Sequence, residues 1–206
     1  MKVFTKELNT NMTHIIDPKH NRRELQIMTG AILGGSSIVK PTRGRNCYLS
    51  MRSKDAQWLK WKAKELESFA SVDPFTEDRN GTLRWHSLCY PLFNEFRDTF
   101  YKDGKRHLEL SNFEQLADIA LMTWWCDAGK IKDGRVVLNT HIWGEEGTEI
   151  CVEYLGLACW EAEVYKERKS FRTRLSVDSS KQFLDMVSPL MPHFMAMRPS
   201  PSEMPK

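Results

Sequence analysis

The residues best placed to do chemistry in this 206-residue chain are arginines at alternating positions. In Lys169–Val177, KSFRTRLSV, an extended strand would put Phe171, Thr173, Leu175 and Val177 on one side and Arg172 and Arg174 on the other. Two guanidinium groups on the open face of a half-buried strand suit contact with a nucleic-acid groove. A second basic stretch carries Arg43, Arg45, Arg52, Lys54, Lys60, Lys62 and Lys64 against few acids. Its helical part is explained equally well as a solvated face. Net charge is only +3, so the distribution of charge matters more than its total. The five cysteines, Cys47, Cys89, Cys126, Cys151 and Cys159, form no CxxC and no zinc-finger spacing with a histidine. Their odd number behind a polar N-terminus indicates reduced thiols and a cytosolic protein. No histidine is placed by sequence to activate one of them, so thiol catalysis is not expected.

Two apolar helix-length runs must organise these groups. The first, Leu25–Ile38, follows a basic approach with Glu24 at its start, where the helix dipole favours an anion. Leu25, Ile27, Met28, Ala31, Ile32 and Leu33 leave it little polar face, so it is expected to be buried nearly all round. Gly30 and Gly34 lie on one side of it and cost about 1 kcal/mol each in a helix, which points to close approach of another backbone. The second run, Leu116–Ile131, starts after a cap at Ser111 or Asn112, and its helix is expected over Phe113–Cys126. Neither run is long enough to span a bilayer.

The segments between them repeat. After the first run come a turn at Pro41–Gly44, a strand over Asn46–Met51, a helix over Ser53–Phe69, a turn-rich connection over 71–81, a strand over Thr82–Leu88 and a helix over Tyr90–Phe100. After the second come turns at Asp127–Gly129 and Asp133–Gly134, a strand over Arg135–Ile142, a helix over Thr148–Trp160, the arginine strand, and a last helix over Ser179–Met197 bent by Pro189 and Pro192. Lys60, Lys62, Lys64, Lys166 and Arg168 are expected off the strands. The tryptophans, Trp58, Trp61, Trp124, Trp125 and Trp160, are expected to fill the core, and His193 to be structural.

MTGAILGGS (Met28–Ser36) and LMTWWCDAG (Leu121–Gly129) resemble the two signature helices of a monomeric LAGLIDADG homing endonuclease of the intron- or phage-encoded kind. CYLSMRSKDAQWLKWK, LRWHSLCYPLFNEFRDTFYKDGK and FRTRLSVDSSKQFLDMVSPLMPHFM resemble further pieces of that family in the same order. The resemblance implies an α+β fold of two αββαββα units about a pseudo-twofold axis, with the signature helices at the centre and antiparallel sheets forming a saddle over double-stranded DNA. The corresponding division is an extension at 1–23, a first unit at 24–101, a linker at 102–111, a second unit at 112–198 and a disordered tail at 199–206. The resemblance gives Arg43, Arg45, Arg84 and His86 from the first unit and Arg135, His141, Arg172 and Arg174 from the second as DNA-facing residues, and Lys40 as a phosphate contact. Arg52 or Lys54 takes the place of the basic residue near the cleavage centre.

Cleavage in this family depends on Mg²⁺ held by one carboxylate at the end of each signature helix, since a hard cation takes oxygen ligands. Here those places fall on Gly35 and Ala128, and Asp127 stands one residue early, about 100° around the helix. Three accounts stay open: an engineered inactive variant, a natural descendant that kept binding without cutting, or residual cleavage through Asp127 with another acid such as Glu24. The resemblance implies sequence-specific duplex binding by a monomer with an internal pseudo-dimer. The alternative is a group I intron RNA-splicing maturase or a non-cleaving DNA-binding protein. Such a protein is expected in the cytoplasm or on the DNA of a bacterial or phage-infected cell, or in an organelle, without a membrane partner.

Overall fold

The computed structural model describes residues 22–196. The terminal tail expected at 199–206, and all but the last two residues of the extension expected at 1–23, lie outside the described residues. The first unit runs α1 (Arg22–Leu33), β1 (Ser37–Val39), β2 (Tyr48–Ser53), α2 (Ala56–Glu65), β3 (Ala70–Glu77), β4 (Leu83–Ser87) and α3 (Leu92–Phe100). A hairpin of β5 (Tyr101–Lys102) and β6 (Lys105–Arg106) leads across to the second unit. That unit runs α4 (Asp118–Ala128), β7 (Gly129–Lys132), β8 (Arg135–Leu138), α5 (Gly144–Leu157), β9 (Ala162–Glu167), β10 (Ser170–Leu175) and α6 (Val177–Val187), with a short α7 (His193–Ala196) behind it. Both units are therefore αββαββα. Their sheets have the same antiparallel order, β1-β2-β4-β3 and β7-β8-β10-β9, and form the two arms of a saddle.

Alternation decides which face of each sheet is buried. Ile38, Leu49, Met51 and Trp85 turn inward in the first sheet, and Val136, Leu138, Thr173 and Leu175 do so in the second. The inward side chains pack on the helices in one continuous core. Local chemistry sets the junctions. Asp55 caps α2 by accepting from the Trp58 amide at 3.0 Å, and Ser176 caps α6. Asp103–Gly104 and Asp133–Gly134 both have positive φ at two successive residues, the geometry of a tight two-residue hairpin turn.

Several boundaries differ from the sequence expectation. The segment 71–81, read as a turn, is mostly β3, an edge strand whose pairing with β4 is irregular between Ala70 and Phe75. Pro74 falls in that irregular stretch, where no ladder hydrogen bond is required of it. The strand expected to reach Ile142 stops at Leu138, and His141 lies in a 3-10 turn, His141–Trp143. Lys166, expected off the strands, lies in β9. The helix expected from Phe113 starts at Asp118, after a 3-10 turn at Leu110–Phe113. The long last helix is α6, a 3-10 turn at Ser188–Leu190 and α7.

The helices α1 and α4 meet at the centre. A Cβ placed on Gly30 would stand 2.3 Å from the Ala120 carbonyl oxygen and 2.8 Å from the Thr123 Cβ. One on Gly34 would stand 2.4 Å from the Asp127 Cβ. Gly30 and Gly34 on one helix thus face Thr123 and Asp127 on the other, with the same four-residue step, so the helices run parallel and in register. Ala is the better helix former by about 1 kcal/mol, yet Gly30→Ala is expected to destabilise the protein. Backbone would have to move, at roughly 1–3 kcal/mol for overpacking. Chemical denaturation of the two proteins measures the sign.

Candidate nucleic-acid interface and the centre beneath it

The register of α1 against α4 makes Gly35 and Ala128 equivalent positions, each one residue past the Gly34–Asp127 contact. The two helix ends are nevertheless built differently. At α1 the amide of Gly35 donates to Ile32 O at 3.1 Å and that of Ser36 to Ala31 O at 2.8 Å. This is a Schellman end with Gly35 at φ 118°, a conformation glycine adopts without a Cβ penalty. Carbonyls left over are taken by side chains: Trp143 Nε1 donates to Leu33 O at 3.2 Å, and Arg106 donates to Ser36 O at 2.7 Å and Gly35 O at 3.1 Å. The Arg106 guanidinium lies over the rings of Tyr101 and Trp143. At α4 the helix runs on to Ala128, which is buried, and the Trp125 ring folds over Gly129, where it would meet a Cβ at 1.9 Å.

Between these ends lies a cavity of about 350 Å³ lined in part by Gly34, Gly35, Arg52, Lys54, Asp127 and His141. The structure thus brings Gly35, Arg52, Lys54, Asp127 and His141 to one place, while Ala128 stays out of the lining. Burial, followed by the nearby Arg172 charge, lowers the His141 pKa from its ordinary value, which favours the neutral ring at pH 7.

Asp127 is already occupied. Lys62 Nζ donates to its Oδ1 at 2.6 Å and Oδ2 at 2.8 Å, and Trp58 Nε1 donates to Oδ1 at 2.6 Å. The Lys62 side chain is 1% exposed and that of Asp127 9%. Lys62, for which a solvated face and a phosphate contact are equal expectations although it shares the helical spacing of Trp58, Leu59 and Leu66, is instead a core residue, and Trp58 does more than fill space: it stacks on Trp61 and holds the carboxylate. The buried positions of α2 and its continuation, Trp58, Leu59, Lys62 and Leu66, have the spacing of Gly147, Thr148, Cys151 and Leu155 in α5. The ammonium thus has a neutral thiol as its counterpart, and the carboxylate has Gly34. The other acid at the cavity, Asp55, is the α2 cap. Among the described residues no group of three or more His, Cys, Asp or Glu is placed to hold a metal ion.

The open faces of the sheets carry the remaining candidates. On the first sheet Arg52 pairs across strands with Arg84 and Ser50 with His86, so all four share that face. His86 meets Tyr48 edge-on, and burial lowers its pKa first, then the Arg84 charge. Arg43 and Arg45 lie in the exposed loop between β1 and β2 rather than in a strand, and Lys40 is exposed at the end of β1. On the second sheet the register puts Arg135, Arg172 and Arg174 on one face. It adds Lys130 and Lys132, absent from the expected set, whose alternation just before the Asp133–Gly134 turn is the signal that marks them. It also adds Glu163, Tyr165 and Glu167 from β9, a strand whose alternation in AEVYKE could have been read.

A family model described as the LAGLIDADG DNA endonuclease family matches residues 25–183. The chain belongs to that family. Its fold is that of the homing endonuclease I-WcaI bound to its DNA recognition sequence, with a TM-score of 0.77 at 16% identity over 94% of this chain and 93% of that one. I-DmoI in complex with DNA and Mn aligns with a TM-score of 0.55 at 10% identity, over 80% of this chain and 96% of that one. Protein RecA of Mycolicibacterium fallax is 25% identical over 136 residues, which are 64% of this chain and 32% of that protein. The chain thus spans about a third of the length of the curated relatives it matches. Among the described residues no helix is long and apolar enough to cross a membrane.

Removing one partner of a buried ion pair leaves a charge without compensation. Lys62→Met is therefore expected to lower stability by roughly 3–5 kcal/mol, whereas Lys62→Met with Asp127→Leu regains only part of that loss, because the buried Trp58 Nε1–H then lacks its acceptor at a cost of about 1–3 kcal/mol. Urea unfolding of the wild type and the two variants measures both numbers.

Proposed function

We propose that this chain binds one long duplex DNA site sequence-specifically, as a monomer, and does not cut it. The observation that carries the second half is the chemistry at the ends of α1 and α4. Gly35 and Ala128 supply no side-chain oxygen, and Asp127 is spent on Lys62 and Trp58. Arg52 and Lys54 bring positive charge to the same cavity. A hard divalent cation takes several oxygen ligands and is repelled by neighbouring ammonium and guanidinium groups. The donor set here does not fit Mg²⁺, although the family is one of Mg²⁺-dependent endonucleases.

Duplex binding is supported by family membership, by relatives solved on their DNA, and by cations concentrated on the open faces of the two sheets. Arginines and lysines on those faces supply phosphate contacts that fix orientation, and those reaching base edges supply sequence preference. Lys40, Arg43 and Arg45 extend the first arm along the backbone. The cavity between helix ends falls under the middle of the duplex, where Arg52 and Lys54 neutralise phosphates without a metal.

The test begins with selection of a target from a randomised duplex pool. With six to ten phosphate contacts, affinity should fall roughly 10³–10⁵-fold between 50 and 200 mM salt. Binding should be the same in EDTA as in Mg²⁺, and the selected duplex should remain intact after prolonged incubation with Mg²⁺. Robust cutting by the chain as it stands would sink this reading. Competition by structured RNA that outweighs competition by the selected duplex would favour the splicing role instead.

A further inference from the structure

The two DNA-facing arms differ in how their cations are held. On the first, Arg84 has one distant partner, Asp78 at 3.8 Å. Among the described residues, Lys40, Arg43, Arg45, Arg52 and Lys54 form no ion pair. On the open face of the second sheet the five strand cations are all engaged by two acids of β9, while Lys166 on the other face and Arg168 and Lys169 in the β9–β10 turn form no ion pair among the described residues. Glu167 takes Lys130 at 3.0 Å, Lys132 at 2.9 Å and Arg172. Glu163 takes Arg174 through both Nε at 2.9 Å and Nη2 at 2.7 Å, and Arg135 at 3.5 Å. Tyr165 sits between the acids on the same face. Its hydroxyl accepts from Lys132 at 2.6 Å, and Arg174 stacks over its ring at 4.4 Å. Hydrogen bonds from Lys132 and then Lys130 hold the Glu167 carboxyl down at about 2, so it is ionised throughout the physiological range.

This arrangement has a consequence for what the second arm can bind. Nonspecific duplex offers these cations only phosphates. A phosphate that approaches Lys130, Lys132, Arg172 or Arg174 meets a carboxylate already seated there, and either repels it or must displace it. A correct site can offer amino groups in the major groove, the N4 of cytosine or N6 of adenine, whose N–H donates to a carboxylate. The acid then keeps a partner, and the cations are freed for neighbouring acceptors.

Resting on the duplex-binding reading above, we propose that Glu163 and Glu167 are specificity-determining residues that make the second arm discriminate against nonspecific duplex, while the first arm supplies sequence-independent attraction. The geometry assigns the two arms different tasks even though they share one topology. The acids act by repulsion toward wrong partners more than by attraction toward the right one.

The experiment compares the full chain with Glu163→Gln, Glu167→Gln and the double variant, each measured against the selected target and a scrambled duplex over a range of salt. Glutamine keeps the shape and removes the charge. The expected result is that scrambled-duplex affinity rises by about tenfold or more in the double variant, with a steeper salt slope, while target affinity rises less or falls. Target selection repeated with the double variant should lose preference in one half of the site only. A control that removes the same charge elsewhere, Glu145→Gln with Glu149→Gln on the exposed face of α5, should leave the ratio of the two affinities unchanged. Because both duplexes are measured on one preparation, partial loss of folded protein cancels in that ratio. A ratio unchanged in the double variant, or one moved equally by the control, overturns the proposal while leaving duplex binding intact. Failure of the unaltered chain to bind any duplex overturns the proposed function and this inference with it.

Discussion

Everything else in the molecule depends on how closely two helices can approach. Gly30 and Gly34 let the backbone of α1 come within contact of α4, and any side chain there would push the units apart. Each helix carries one sheet, so the seam sets the distance between the arms of the saddle. The seam also explains where the apolar surface goes, since helices buried nearly all round need a partner on every side. Helix propensity is given up at two positions in exchange for that contact.

The centre of the seam holds a buried ion pair between the two units. The Asp127 carboxylate stands one residue before the Gly35–Ala128 pair, and it accepts from an ammonium and an indole at the edge of the cavity. The helix ends are closed by protein groups as well. Arg106 reaches from the β5–β6 hairpin to the carbonyls after α1 because the Asp103–Gly104 turn brings the strand back within reach. The linker is thus part of the centre. It occupies with a guanidinium the oxygens that the end of a helix otherwise leaves for solvent or ligand.

Most of the architecture was legible in the amino-acid order because its signals are local. The two apolar runs, the glycine pair, the Asp-Gly turns and the alternation of KSFRTRLSV each announce themselves within ten residues. What stayed hidden depends on partners far along the chain. Lys62 sits beside Lys60 and Lys64 in a basic run and yet at the spacing of Trp58, Leu59 and Leu66, and only the fold reveals the carboxylate 65 residues away that accepts from it. β3 is masked in the amino-acid order because Pro74 and several acids resemble a loop, and an irregular edge strand tolerates both. The residue order extends that strand through His141 because the pattern runs on past Leu138, whereas the fold puts a 3-10 turn there, from which Trp143 reaches α1. Lys130, Lys132, Glu163 and Glu167 become a group only once four strands are laid side by side.

The pairing of Lys62 with Asp127 makes the two halves electrically complementary. The ammonium comes from the first unit and the carboxylate from the second, while the matching places hold Cys151 and Gly34. Two copies of the first unit, joined about the same axis, would bury two ammonium groups with no acid between them. Two copies of the second would press two carboxylates against each other. Only the mixed pair is electrically balanced, so at this seam neither half can take the place of the other.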